Sequence, residues 1–166
     1  MTGMISAEDH LAVLDLFARY CRGIDRLDTA LLKSVYWPDS ADHHGVFDGP
    51  GQEFAEWIVP FLRDKYTHTL HLLGQSLISC SGDSISAETY FSSMHGLDRN
   101  GVASVEMCSG RYLDRLERRS GIWRVLDRLL VIDFIFEVPG GGAAASLPPA
   151  FARGERAKSD VSYRLF

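Results

Sequence analysis

Apolar positions near the start of the chain recur at helical spacing. Leu11, Leu14, Phe17, Ala18 and Cys21 fall three or four apart and so share one face of a helix. Ser6-Ala7-Glu8-Asp9 supplies an acidic variant of a capping box at its start, and Gly23 marks its end. Asp28 is placed to cap a second, short helix that runs through Val35 and is ended by Pro38. Positions 41–47 read as a strand, and Asp48-Gly49-Pro50-Gly51 as a turn. A third helix is predicted over 52–66, with Phe54, Trp57, Ile58, Phe61 and Leu62 on one face. Pro60 lies inside it and should kink or split it.

After position 66 the pattern turns to strands. Segments 67–79, 85–97, 102–117 and 122–138 are separated by Ser81-Gly82-Asp83-Ser84, by Asp98-Arg99-Asn100-Gly101 and by Arg118-Arg119-Ser120-Gly121. Asn100-Gly101 carries the chemistry of a tight hairpin turn. The last two strands exceed ordinary strand length, so bulges or strong curvature are expected. Three helices followed by a four-stranded meander define an α+β layout, with the segment near residue 44 joining the sheet edge. The expected architecture is a cone-shaped, curved antiparallel sheet wrapped around three N-terminal helices, with a pocket at its open end. Residues 1–138 form this domain. Residues 139–166 are a Gly/Ala-rich break, Pro139-Gly140-Gly141-Gly142 and three alanines, followed by a polar tail that becomes apolar at Tyr163, Leu165 and Phe166. That tail is either disordered or docks its apolar end on a neighbouring subunit.

Composition narrows the function classes. The chain has 166 residues, 46% apolar and 23% charged, enough for one domain with a real core. A net charge of −5 with scattered Lys and Arg argues against a nucleic-acid partner. No apolar stretch approaches the ~20 residues that span a bilayer, and Met1-Thr2-Gly3-Met4 lacks the basic start of a signal peptide. Cys21, Cys80 and Cys108 form no Cys-x-x-Cys pair, so neither a disulfide framework nor a zinc signature is present. The expectation is a cytoplasmic protein whose cysteines are small hydrophobes.

Chemistry concentrates in Tyr20, Asp25 and His71. Tyr20 and Asp25 lie near the end of the first helix, and His71 sits in an apolar strand, Leu70-His71-Leu72-Leu73. A carboxylate beside an imidazole fixes its tautomer and stabilises its protonated form, which makes a general base. A phenol nearby can donate a proton or polarise a carbonyl. His43 and His44 are neighbours on a strand and point to opposite faces, with His44 favoured inward. His95 lies late in its strand, within reach of the cavity. His10 and His68 read as surface residues. Neither His-Glu-x-x-His nor a cupin-type His-x-His is present, and no metal is expected. No Gly-x-Ser-x-Gly or Gly-x-Gly-x-x-Gly occurs, so no cofactor is expected either.

The order of elements, Tyr20-Cys21-Arg22-Gly23-Ile24-Asp25, the strand from Arg111 through Trp123, and the segment 128–133 together resemble the SnoaL-like branch of the nuclear-transport-factor-2-like superfamily. The resemblance covers residues 6 to 138. That branch includes scytalone dehydratase, bile-acid 7α-dehydratase and hexachlorocyclohexane dehydrochlorinase, which are cofactor-free eliminating enzymes with an Asp–His pair in the cone. It implies that Asp25 and His71 are that pair, and that Tyr20 matches the phenol five residues before the Asp. A family Tyr falls on His44, a departure. The implied function is a lyase or isomerase of dehydratase type acting on a small apolar polycyclic or aromatic substrate. Tyr20, Asp25 and His71 would be catalytic, and His44, Trp57, His95 and Phe134 would bind substrate. A polyketide cyclase uses the same cavity. The alternative is a non-catalytic small subunit or binding module, like the small subunits of ring-hydroxylating dioxygenases. A homo-oligomer is also implied, a trimer favoured and a dimer possible.

Overall fold

A computed structural model describes residues 5–140 and 148–165. Residues 1–4, 141–147 and Phe166 lie outside the described residues. The first helix, α1 (Ala7–Asp25), is capped reciprocally: Ser6 Oγ accepts from the Asp9 N–H at 3.0 Å, and its hydroxyl donates to the Asp9 carboxylate at 2.9 Å. Its buried face is Val13, Leu16, Phe17, Tyr20, Cys21 and Ile24. That stripe sits to one side of the expected one, because each helical residue advances about 100°. Leu11 and Leu14 therefore face solvent. The helix also continues two residues past Gly23. A Cβ there would meet Leu32 Cγ at 2.7 Å, so the glycine permits close helix–helix packing rather than ending the helix. The extra residues place Asp25 on the last turn.

Asp28 accepts from the Leu31 N–H at 3.1 Å and caps α2 (Thr29–Val35) as expected. The chain then enters β1 (Tyr36–His43) at once, five residues earlier than the hydrophobic pattern indicates. Pro38 lies inside this strand, in the irregular stretch between the paired residues Tyr36 and Ala41, where no ladder bond is required of it. A short β2 (Asp48–Pro50) replaces the expected turn and pairs with β1. Helix α3 (Gly51–Lys65) runs unbroken through Pro60. Pro60 is exposed, so the carbonyl it leaves unpaired lies on the solvent side.

The remaining strands are β3 (His68–Ser81), β4 (Ser84–Arg99), β5 (Val102–Arg119) and β6 (Ile122–Pro139). They form the expected antiparallel meander, with bulges near Leu73, Gly110 and Leu116. Asn100 and Gly101 both adopt left-handed backbone, with φ of 58° and 83°, as the hairpin requires. The full sheet is six-stranded, in the order β2-β1-β6-β5-β4-β3. It is not antiparallel throughout: β1 runs parallel to β6, with Asp42 opposite Arg128. The sheet is curled but open, with the helices on its inner face. The core includes Phe17, Leu32, Val35, Tyr36, Phe54, Ile85, Leu116 and Val125. After the undescribed segment the chain returns to the corner between α1 and α2, where Tyr163 donates to the Asp28 carboxylate at 2.8 Å. Among the described residues no helix is long and apolar enough to cross a membrane.

Candidate active site

The inner face of the sheet and helices α1 and α3 enclose a cavity of about 140 Å³. Phe54, Trp57, Phe61, Phe91 and Leu130 give it apolar walls, and Tyr20, His44, His71 and His95 carry its polar chemistry. An apolar cavity of roughly 150 Å³ is enough to hold benzene.

Asp25 and His71 meet directly. Asp25 Oδ1 lies 2.8 Å from His71 Nδ1, and Oδ2 accepts from the His71 backbone N–H at 3.0 Å. The carboxylate thus grips one residue by ring and main chain, fixing both rotamer and tautomer. An ionised carboxylate only accepts, so Nδ1 carries the proton. Nε2 is left with a free lone pair on a ring that lines the cavity. Asp25 is 5% exposed.

Tyr20 does not bond to this pair. Its hydroxyl lies 3.2 Å from His44 Nε2. His44 Nδ1 pairs in turn with Asp42, which is fully buried and also accepts from the Tyr36 hydroxyl at 2.6 Å. With Nδ1–H donating to the Asp42 carboxylate, His44 Nε2 accepts from the Tyr20 hydroxyl. Burial raises the Tyr20 pKa above the ordinary phenol range, against the opposing charge of Arg128, so Tyr20 stays a proton donor. Arg128 lies beneath it, 4.1 Å from the Tyr20 ring centroid and 4.4 Å from that of Tyr112. It is bound by two hydrogen bonds, 2.6 and 2.8 Å, to buried Asp114.

His95 sits beside the pair, its ring centroid 5.3 Å from that of His71 and 4.6 Å from that of Tyr66. Burial, with the neighbouring His71, lowers its pKa to about 4. Neither ring nitrogen has a hydrogen-bond partner among the described residues. The Glu106 carboxylate is 3.6 Å from Nδ1, too far for one, and is taken by the Tyr66 hydroxyl.

Of the expected site residues, Tyr20, His44, Trp57, His71 and His95 line the cavity, and Asp25 supports it from behind. Phe134 does not: it is 70% exposed on the outer half of β6. The bulge near Gly110 sets Ser109 opposite Phe134, whereas inward-facing Cys108 opposes Ile135. His43 points away, to Asp48 at 2.6 Å and Asp127 at 3.4 Å. Burial pushes the Cys21 thiol up to about 12, which suits a packing role. Asp42, Tyr36, Arg128 and Asp114 were not marked as site residues by the pattern. The one available signal was Asp42-x-His44, since residues two apart on extended chain share a face. Among the described residues no group of three or more His, Cys, Asp or Glu is placed to hold a metal ion.

A curled α+β sheet with an Asp–His pair and a phenol at an apolar cavity defines a class of small cone-fold proteins. The SnoaL-like domain family matches residues 6–128, and the chain belongs to it. No curated protein sequence matches the chain. Among solved structures it is similar to a hexachlorocyclohexane dehydrochlorinase, LinA type 2. The two share 20% identity and a TM-score of 0.72, over 87% of this chain and 96% of that one. A candidate scytalone dehydratase from Novosphingobium aromaticivorans is similar at 16% identity and a TM-score of 0.67, over 87% and 95% of the two chains. A Mycobacterium tuberculosis protein of unknown function is 24% identical with a TM-score of 0.65, over 77% and 78%. At these identities the likeness is one of fold.

Proposed function

We propose that the protein is a cofactor-independent lyase or isomerase of dehydratase type, with His71 as general base. The observation that carries this reading is the double grip of Asp25 on His71, which directs Nδ1 to the carboxylate and turns Nε2 toward an apolar cavity. His71 Nε2 takes a proton from a carbon made acidic by an adjacent carbonyl. The C–H electron pair becomes the new double bond. A hydroxyl on the next carbon departs and leaves as water with a proton from Tyr20. The proton taken by His71 is released to solvent, and Tyr20 is reprotonated from solvent by way of His44 Nε2, whose ring Asp42 holds. Without a leaving group, His71 instead returns the proton to a different carbon of the dienolate, and an enone is isomerised.

The substrate class is a small apolar ring bearing a carbonyl. A cavity of about 140 Å³ suits a single ring better than a steroid, which needs the roughly 300 Å³ or more of larger ligand pockets. A non-catalytic binding module is less well supported, because Asp25 is bonded to an imidazole at a cavity rather than bridged to an arginine.

The test is solvent exchange. A panel of one-ring β-hydroxyketones is incubated with the protein in D₂O and followed by NMR. Deuterium entry at the carbon beside the carbonyl, or loss of water, should occur and fall by about 10²–10⁴-fold in His71→Ala. Exchange that is the same with and without protein, or unaffected by that substitution, counts against the reading.

A further inference from the structure

Among the described residues the C-terminal segment from 148 buries no apolar side chain, yet it packs against the corner between α1 and α2. The only buried one of these described residues is Asp160, 5% exposed. The contacts bracket Asp25. Three residues before it, Arg22 donates to Ser162 Oγ at 3.0 Å and stacks on the Tyr163 ring at 4.4 Å. One residue after it, Arg26 donates to the Glu155 carbonyl at 2.7 Å and to Asp160 Oδ2 at 3.1 Å. Three residues after it, Asp28 accepts from the Tyr163 hydroxyl at 2.8 Å. The same carboxylate of Asp160 accepts from the Glu155 and Ser162 N–H groups, so the segment is folded around the residue that holds Arg26.

The corner needs holding. Leu27 adopts left-handed backbone, with φ of 53°, which a non-glycine residue keeps only where its surroundings enforce it. The segment's other attachment is Arg156, which donates to the Leu62 and Tyr66 carbonyls at the end of α3. Burial lowers the Arg156 pKa, and the Asp25 carboxylate opposes that. Asp25 also lines a second cavity, of about 360 Å³, whose far wall is Ala152, Gly154, Asp160 and Ser162. Its back therefore faces an open pocket walled by the C-terminal segment.

We propose that residues 153–163 form a clamp that positions Asp25 on His71, with Arg26, Asp160 and Tyr163 as positioning residues of the candidate active site. The clamp rests on the reading of Asp25 and His71 as orienter and base. It fixes the last turn of α1, which carries the carboxylate. Without it Leu27 relaxes, the last turn of α1 shifts, and the bond to His71 Nδ1 loosens.

The test reads the His71 tautomer by ¹H–¹⁵N NMR in the full-length protein, at a pH where the ring is neutral. In the parent chain His71 is expected as the Nδ1–H tautomer alone. Arg26→Gln and Asp160→Asn should each raise the Nε2–H share relative to Nδ1–H by about tenfold, the scale of one charge-assisted hydrogen bond. Tyr163→Phe, which removes one hydroxyl and leaves the core intact, should shift it in the same direction by less. Thermal unfolding checks that each variant folds, and Tyr163→Phe carries the test if the charge variants do not. A purely structural tail would lower the unfolding temperature and leave the tautomer alone, and that result overturns the clamp only. If the parent His71 is not held as Nδ1–H, the orienter–base reading and the clamp both fall.

Discussion

Asp25 uses both oxygens on one residue, and this makes its substitution informative. In Asp25→Asn one oxygen can still accept the backbone N–H of His71, but the amide nitrogen then faces ring Nδ1. An amide N–H can only donate, so the ring must place its own proton on Nε2 and cease to be a base toward the cavity. The expected outcome is a loss of turnover of about 10²–10⁴-fold with little change in thermal unfolding, measured on any substrate the exchange screen yields. His95 gives a prediction about stability instead. Its folded pKa is about 4, below the ordinary value of 6.5, because burial opposes the charge. The unfolded chain takes up a proton first as pH falls. Stability is therefore fully present above about pH 6.5 and declines as pH drops toward 4, by up to about 3 kcal/mol at roughly 1.4 kcal/mol per unit. Urea unfolding at pH 7 and pH 4.5 measures this, and His95→Phe should flatten the decline. An unchanged slope in that variant would assign the acid sensitivity to other groups.

At the scale of elements, β1, β5 and β6 carry charge into the core. Asp114 and Arg128 are cross-strand partners on β5 and β6, and Asp42 opposes Arg128 from β1. Arg128 is 1% exposed and Asp114 is 5%. Removing one partner strands a buried charge, so Asp114→Ala should cost about 3–5 kcal/mol in chemical denaturation. A cost under about 1 kcal/mol would mean that Arg128 finds solvent or another acceptor. This pair also shows where the sequence stops being legible. The meander, its turns and its bulges follow from local pattern, because alternation and Asn-Gly chemistry act over a few residues. The parallel β1–β6 pairing and the early start of β1 do not, because strand pairing is non-local and Pro38 masks the strand that holds it. Asp25 and His71 were legible through family likeness to Tyr20 through Asp25. Asp42, Tyr36 and Asp114 were not, since a buried polar residue is marked only by a partner from a distant strand.

At the scale of the molecule, the outer face of the sheet is the surface still to be explained. The register aligns Leu70, Met94, Met107 and Phe136 across four adjacent strands. Leu72, Phe134 and Val138 extend this apolar ribbon, and Phe134 is 70% and Phe136 52% exposed. A contiguous apolar patch of this kind on a sheet face marks an interaction surface. Nearby charges are already neutralised within the chain: Arg111 binds Asp133 at 3.0 Å and Arg99 binds Glu137 at 3.0 Å. The ribbon therefore offers no net charge to an acidic or basic partner, and a second copy of the same surface matches it better. Self-association would bury about 800 Å² per subunit in an interface of standard size. Sedimentation at micromolar concentration should give a multiple of the 18.5 kDa chain: two copies if the ribbon meets itself, three if the family resemblance extends to assembly. Phe134→Glu with Phe136→Glu should return it to a single chain, because opposing carboxylates cannot be desolvated in pairs. The helix-side core is untouched by those substitutions, so the monomer should remain folded. A parent chain that sediments at 18.5 kDa would leave the ribbon to a different partner.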